Sequence, residues 1–152
     1  PDRAFPAQKV HPAGVWASNL EGAAAVPHDF GVVSLCITEG RFDNHAHRRQ
    51  VYMRDSEGDK NPNLFFAVKE SVDAINAFLR EGRQVVVHCH GGRSRTGLVL
   101  KAWYMLNEGV QHDQAHQWVS DTWPLYTTWT QSFFDLLDNE WGDHVEANTG
   151  GI

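Results

Sequence analysis

The segment Val85-Val-Val-His-Cys-His-Gly-Gly-Arg-Ser-Arg-Thr-Gly97 decides how the chain is read. Three valines open it, the pattern of a strand buried on both faces. The sequence then turns polar, carries Gly91 and Gly92 side by side, and runs into an apolar stretch over positions 98–106 broken only by Lys101. The reading is strand, tight loop, helix. Cys89 opens the loop and Arg95 closes it, with Thr96 directly after. A loop curling from a strand end into a helix start turns successive backbone N–H groups inward and makes an anion nest. The helix begun near Thr96 points its positive end at the same spot. Glycine lets the backbone take unusual angles and approach a ligand closely. Arg95 offers a planar fork that grips two oxygens of a phosphate at once. Such a positive field favours a thiolate over a thiol, which aims a nucleophile at phosphorus. Thr96 can donate to the sulfur and stabilise it as a leaving group. His90, Gly91, Gly92, Arg93 and Ser94 form the cradle, and His88 orders the loop from behind.

The string HCHGGRSRTG resembles the phosphate-binding loop of the cysteine-based protein phosphatases, whose signature is H-C-x5-R-[ST]. It looks most like the compact dual-specificity group, with some resemblance to the phosphatase-and-tensin branch. Three further pieces carry the likeness: VVSLCITEGRF, NLFFAVKESVDAINAFLREGRQVVVHC, and the helix behind the loop. Beyond Gly109 the match weakens. The resemblance implies a metal-free, cofactor-free phosphomonoesterase that works through a phosphocysteine, on phosphotyrosine, phosphoserine or phosphothreonine in proteins. Non-protein substrates are the alternative: a phosphoinositide, an inositol phosphate, a nucleotide or ADP-ribose-related phosphate, or an RNA end. A rhodanese-like sulfurtransferase and a phosphate-binding pseudoenzyme are the readings of another class.

Composition bounds these readings. The 152 residues, 41% of them hydrophobic, suit one globular domain over 1–152. The net charge of −6 argues against bulk nucleic-acid binding. No apolar run approaches the ~20 residues of a membrane span. The two cysteines lie far apart and do not form a secreted disulfide framework, which fits a reducing cytoplasm. Six tryptophans predict an aromatic core with one or two at the rim of the site.

Along the chain, residues 1–14 read as irregular and Gly14–Ser18 as a short strand. Val32–Ile37 reads as a buried strand, Glu39–Arg49 as a polar loop, and Gln50–Met53 as a strand. Asp55–Asn63 is rich in turn formers. Phe65, Val68, Val72, Ile75 and Leu79 recur at helical spacing and predict a helix over 64–80, capped at Asn63 and stopped before Gly82. Further helices are predicted over 95–107, 113–120 and 129–141. The alternation of strands and helices predicts an α/β domain, a mostly parallel sheet of four to five strands flanked by helices.

Phosphate transfer to a cysteine needs a proton for the departing oxygen. The resemblance places the donor on the loop after the strand before the NLFF helix, which offers Asp55 and Asp59. Asp55 matches the family's strand–Asp junction. Asp59 sits in DKNPN, like the DxNP segment of the lipid phosphatases, and lies nearer the usual spacing from Cys89. Asp55 is the slight favourite. Release of phosphate needs a positioned water, for which the resemblance suggests Gln131. It also makes Cys36 a candidate redox partner of Cys89, against the plainer reading of a buried small hydrophobe. His45-x-His47 and His112-x3-His116 have ligand-like spacing but no diagnostic companion, so no metal is assigned. Arg41, His45, His47, Arg48 and Arg49 cluster on one loop and offer a rim for an anionic substrate, set against an ordinary solvated loop.

Overall fold

The valine run becomes the middle strand of a five-stranded sheet in a computed structural model of the chain, which describes residues 5–56 and 61–149. In chain order the elements are β1 (Gln8–His11), β2 (Val15–Ser18), a one-turn helix α1 (Leu20–Ala23), β3 (Gly31–Ser34) and β4 (Arg48–Gln50). There follow α2 (Leu64–Arg80), β5 (Val85–His88), α3 (Ser94–Glu108), α4 (His112–Thr122), α5 (Gln131–Asp138) and α6 (Glu140–Thr149). The strand order is β1-β2-β5-β3-β4. Only β1 runs antiparallel, to β2; the other pairings are parallel. This is the single α/β domain with a mostly parallel sheet that the sequence predicts.

Alternation along the strands sorts the core into two layers. Val85 and Val87 face the side covered by α2 to α6, with Val15, Ala17, Val33 and Leu35. Val86 and Val32 face the other side, where Leu20, Ala23, Phe30, Cys36 and Phe42 pack. Helix α2 buries Leu64, Val68, Val72 and Ile75, the stripe its spacing predicts. Helix α3 is buried nearly all round, Lys101 included. It lies between α2, α4 and α6 and stops at Gly109, whose φ of 64° ends the helix in a left-handed turn. The three inner strands finish level: Ser18 and Ser34 both lie opposite His88. The loops that follow them therefore meet at one edge of the sheet, where α/β proteins place their ligands.

Several boundaries differ from expectation. β1 lies in a stretch read as irregular, because only Val10 of its four residues is buried and the pattern carries little signal. The strand expected over 32–37 is Gly31–Ser34, and Ile37 beyond it is exposed. The strand expected over 50–53 lies earlier, at Arg48–Gln50. Val51 and Met53 still hydrogen-bond to the end of β3, to Ser34 O (2.9 Å) and Leu35 O (3.3 Å). Asn63 is the N-cap residue of α2 but makes no side-chain capping bond. The helix expected over 129–141 is two, broken at Asn139 (φ −113°, ψ −90°).

Candidate active site

Cys89 emerges from β5 at the level edge of the sheet, 3% exposed. Fully buried Thr96, in the first turn of α3, donates from Oγ1 to Cys89 Sγ at 3.1 Å. The sulfur therefore faces the N-terminal end of a 15-residue helix and has a hydroxyl donor fixed on it.

The loop between Cys89 and Arg95 is held from three directions. Gly92 has φ +72°, and a Cβ there would lie 2.8 Å from Ser18 O and 2.9 Å from Asn19 N. Only glycine lets the loop sit this close to the end of β2. Alongside, Leu20 N donates to His90 O (3.1 Å). From the opposite side Trp123 Nε1 donates to Gly92 O at 2.6 Å. Beneath the loop, His88 is fully buried, shares a 2.6 Å hydrogen bond with Ser34 Oγ through Nε2, and stacks on Phe42. Its Nδ1 lies 3.1 Å from Cys89 O. Burial pulls the His88 pKa down to about 4, so the ring is neutral at physiological pH.

Arg95 reaches across the site, and its Nη1 donates to Met53 O at 3.0 Å. Its Nε is buried without a hydrogen bond to the protein. Arg93 is exposed, with Nη1 3.4 Å from Leu125 O. Asp55 lies just past Met53, its carboxylate accepting from Thr130 Oγ1 at 3.3 Å. The neck of this segment is closed by Asn61, which takes Arg54 N on Oδ1 (2.9 Å) and gives Nδ2 to Arg54 O (2.6 Å). The alternative acid, Asp59, lies outside the described residues.

A strap, residues 123–130, crosses the loop. Besides Trp123 it carries Tyr126, packed so closely on Gly97 that a Cβ there would fall 2.2 Å from the ring. Burial pushes the Tyr126 hydroxyl upward, so it stays neutral. Thr128 Oγ1 meets Ser94 Oγ at 2.8 Å, and Thr130 holds Asp55. Trp129 between them is 86% exposed.

Residues 25–134 match the family described as dual specificity phosphatase, catalytic domain. That stretch is most of the chain and contains Cys89, Arg95 and Asp55. The chain belongs to the dual-specificity phosphatase family. It is a cysteine phosphatase domain, a hydrolase of phosphorylated substrates. Solved structures share its fold. Human DUSP28 superposes with a TM-score of 0.77 at 20% identity, over 93% of this chain and 96% of that one. A mouse putative dual specificity phosphatase, solved with zinc tungstate, gives 0.73 at 22% identity, over 95% and 91%. PTPMT1, solved in complex with PI(5)P, gives 0.75 at 12% identity, over 95% and 99%. No curated protein sequence matches the chain.

Against this family background the remaining candidates fall into place. Gln131 opens α5 and donates to Asp135, one turn on, at 2.9 Å. Cys36 is buried and unbridged. Burial pushes its thiol up to about 11, with Cys89 adding to the rise and Arg95 opposing it. The basic loop is largely spoken for: Arg41 pairs with Glu21 (2.6 Å), Arg49 with Glu70 (2.9 Å), and Arg48 donates to Thr38 (2.9 Å). His45 is buried against Phe42 and His28. His112 lies between Lys101 Nζ (2.8 Å) and Asp138 (2.7 Å), and His116 meets Tyr126. No helix among the described residues is long and apolar enough to cross a membrane.

Sequence reasoning missed Thr128, Thr130, Trp123 and Asn61. Asn61 carried a signal, since Asn before Pro is a turn former that bonds nearby backbone. The two threonines carried none: their partners lie 34 and 75 residues away.

Proposed function

We propose that the chain hydrolyses phosphomonoesters through a phosphocysteine, with Cys89–Arg95 as its CX5R phosphate loop and phosphorylated proteins as its substrates. The observation that carries this is the 3.1 Å bond from Thr96 Oγ1 to Cys89 Sγ. A buried sulfur that accepts from a hydroxyl and faces a helix N-terminus is equipped both to attack and to leave. In the first step the Cys89 thiolate attacks phosphorus while the P–O bond breaks. Asp55 gives its proton to the departing alkoxide or phenoxide. Arg95, Gly91, Gly92 and the backbone N–H groups from His90 to Ser94 hold the equatorial oxygens. The unpaired buried Arg95 Nε supports this, because an orphaned donor costs about 1–3 kcal/mol unless a ligand satisfies it. In the second step water attacks phosphorus, its proton passes to Asp55, and the P–S bond breaks toward a sulfur stabilised by Thr96. Gln131 is the residue we assign to position that water, and Asp59 is the alternative acid. No step uses a cofactor.

The pairing of Arg41 with Glu21 and Arg49 with Glu70 supports a protein substrate over a polyphosphorylated one. The exposed aromatics Tyr52 and Trp129 add apolar surface beside Met53 and Thr130 that suits a phosphorylated side chain in a peptide. We assign Cys36 to packing, since a thiol raised to about 11 is a slow resolving group at neutral pH. A domain spanning 1–152 that works in the cytoplasm completes the reading.

The test is hydrolysis of p-nitrophenyl phosphate in EDTA by the parent and Cys89→Ser. The expected loss is at least about 10⁴-fold in kcat. Equal rates would remove Cys89 as nucleophile. Binding of phosphopeptide without turnover by the parent would make the domain a pseudoenzyme.

A further inference from the structure

Two threonines of the strap connect the two halves of the site. Thr128 Oγ1 lies 2.8 Å from Ser94 Oγ, at the start of α3. Thr130 N points back at Thr128 Oγ1 across 3.4 Å. Thr130 Oγ1 then donates to Asp55 Oδ1 at 3.3 Å. Thr130 is 7% exposed, whereas the Asp55 it holds is exposed. The fixed partner of this bond is therefore the threonine.

We infer that Thr130, backed by Thr128, is the positioning residue that aims the Asp55 carboxyl at the leaving oxygen above Cys89. The inference rests on the reading of Asp55 as general acid. The bond to Oδ1 leaves Oδ2 to carry the proton. When Oδ2 is protonated, Oδ1 is a carbonyl oxygen and still accepts from the hydroxyl. When Asp55 is ionised, Oδ1 accepts more strongly. One donor thus holds the carboxyl through both steps, as donor of a proton and then as acceptor. Arg95 fixes the same segment two residues earlier, at Met53 O. Thr130 adds the side-chain constraint that this backbone contact cannot supply. Through Thr128 and Ser94 the constraint is referred to the loop that holds phosphate, so acid and phosphorus share one frame.

The experiment compares phenyl phosphate, whose leaving group needs a proton, with p-nitrophenyl phosphate, whose leaving group needs one far less. The chains are the parent, Asp55→Asn, Thr130→Val, Thr130→Ser and Asp55→Asn/Thr130→Val. Acid catalysis is worth roughly 10²–10⁴-fold, so partial misplacement should cost roughly 10-fold to 10²-fold on phenyl phosphate in kcat/KM, which reports transfer to Cys89 and not the later hydrolysis common to both esters. We expect Thr130→Val to show that loss, with less than about 3-fold on p-nitrophenyl phosphate. Thr130→Ser should restore most of it, and the double variant should lose no more than Asp55→Asn alone. An equal loss on both esters in Thr130→Val, with Asp55→Asn still discriminating between them, would overturn the positioning role and leave the acid in place. If Asp55→Asn itself fails to discriminate, the acid assignment falls and the inference with it.

Discussion

The loop from Cys89 to Arg95 and the strap over 123–130 enclose the same site but stand on different footings. The loop rests on His88, a neutral ring locked between Ser34, Phe42 and the Cys89 carbonyl. The strap rests on Lys101, a buried ammonium whose Nζ lies 5.3 Å from the Tyr126 ring centre and 4.4 Å from that of Phe134. Burial pulls Lys101 down to about 7, opposed by the Asp138 carboxylate. His112 and His116 face the same cluster, each lowered first by burial and then by Lys101. One half of the site thus has a base that does not titrate at working pH, and the other a base that does. The loop holds its shape through backbone angle and close packing, the strap through side-chain bonds made over long sequence separations.

The contrast can be broken hardest at Gly92. Gly92→Ala forces a Cβ onto φ +72° and into the Ser18 carbonyl at 2.8 Å. We expect a stability loss of about 2–4 kcal/mol in urea unfolding, from backbone strain plus the clash. A loss in kcat/KM of at least about 10²-fold should accompany it, because displacement of about 1 Å at a reacting centre costs this much. Unchanged kinetics would mean that the loop shape does not depend on that angle.

The two footings should separate by pH. Lys101 is lowered from 10.5 in the unfolded chain to about 7 in the fold, so the unfolded state binds more protons between those values. Its burial penalty is complete below pH 7 and fades as pH rises toward 10. Lys101→Met should flatten this rise in Tm between pH 7 and 10. A profile parallel to the parent's would place the titration elsewhere. His88, lowered from 6.5 to about 4, behaves differently. It gives no slope above pH 6.5, and it costs stability only as pH falls from 6.5 toward 4.

The smallest effect belongs to Trp123→Phe, which keeps the ring and deletes the 2.6 Å bond to Gly92 O. A buried carbonyl left unpaired should cost about 1–2 kcal/mol in unfolding. Since Gly92 is also packed against Ser18 and Asn19, kcat should fall less than about 5-fold. A larger fall would show that the strap shapes the loop as much as the sheet does.

The same division explains what the sequence discloses. The strand–loop–helix of Val85 to Gly97, the α2 stripe and the burial of α3 all follow from residues near one another in the chain, where periodicity and glycine placement report directly on structure. The placement of Cys89, Arg95 and Thr96 around one loop was legible for that reason, as was that of His88 at the end of the strand behind it. The strap was not. Thr130 and Asp55 are separated by 75 positions, and no local pattern marks a threonine that will meet a carboxylate. The break at Asn139 was hidden because amphipathic spacing continues through it, from Phe133 and Leu137 to Trp141 and Val145. The basic loop was legible only in its charge. Its arginines read as a rim for anions or as an ordinary solvated loop, and the acidic partners of Arg41 and Arg49, Glu21 and Glu70, come from distant segments.

Asn61, meanwhile, ties off at its base the segment that carries Asp55. By taking both Arg54 N and Arg54 O, one side chain does the work of a rung of sheet at the segment's base. Asp55 sits directly on that base, so the closure bears on its backbone while Thr130 holds its carboxyl. Lengthening such a closed segment is entropically cheap, about 0.6 kcal/mol for each doubling. An insertion between Ser56 and Asn61 should therefore leave the sheet and the Asn61 closure intact.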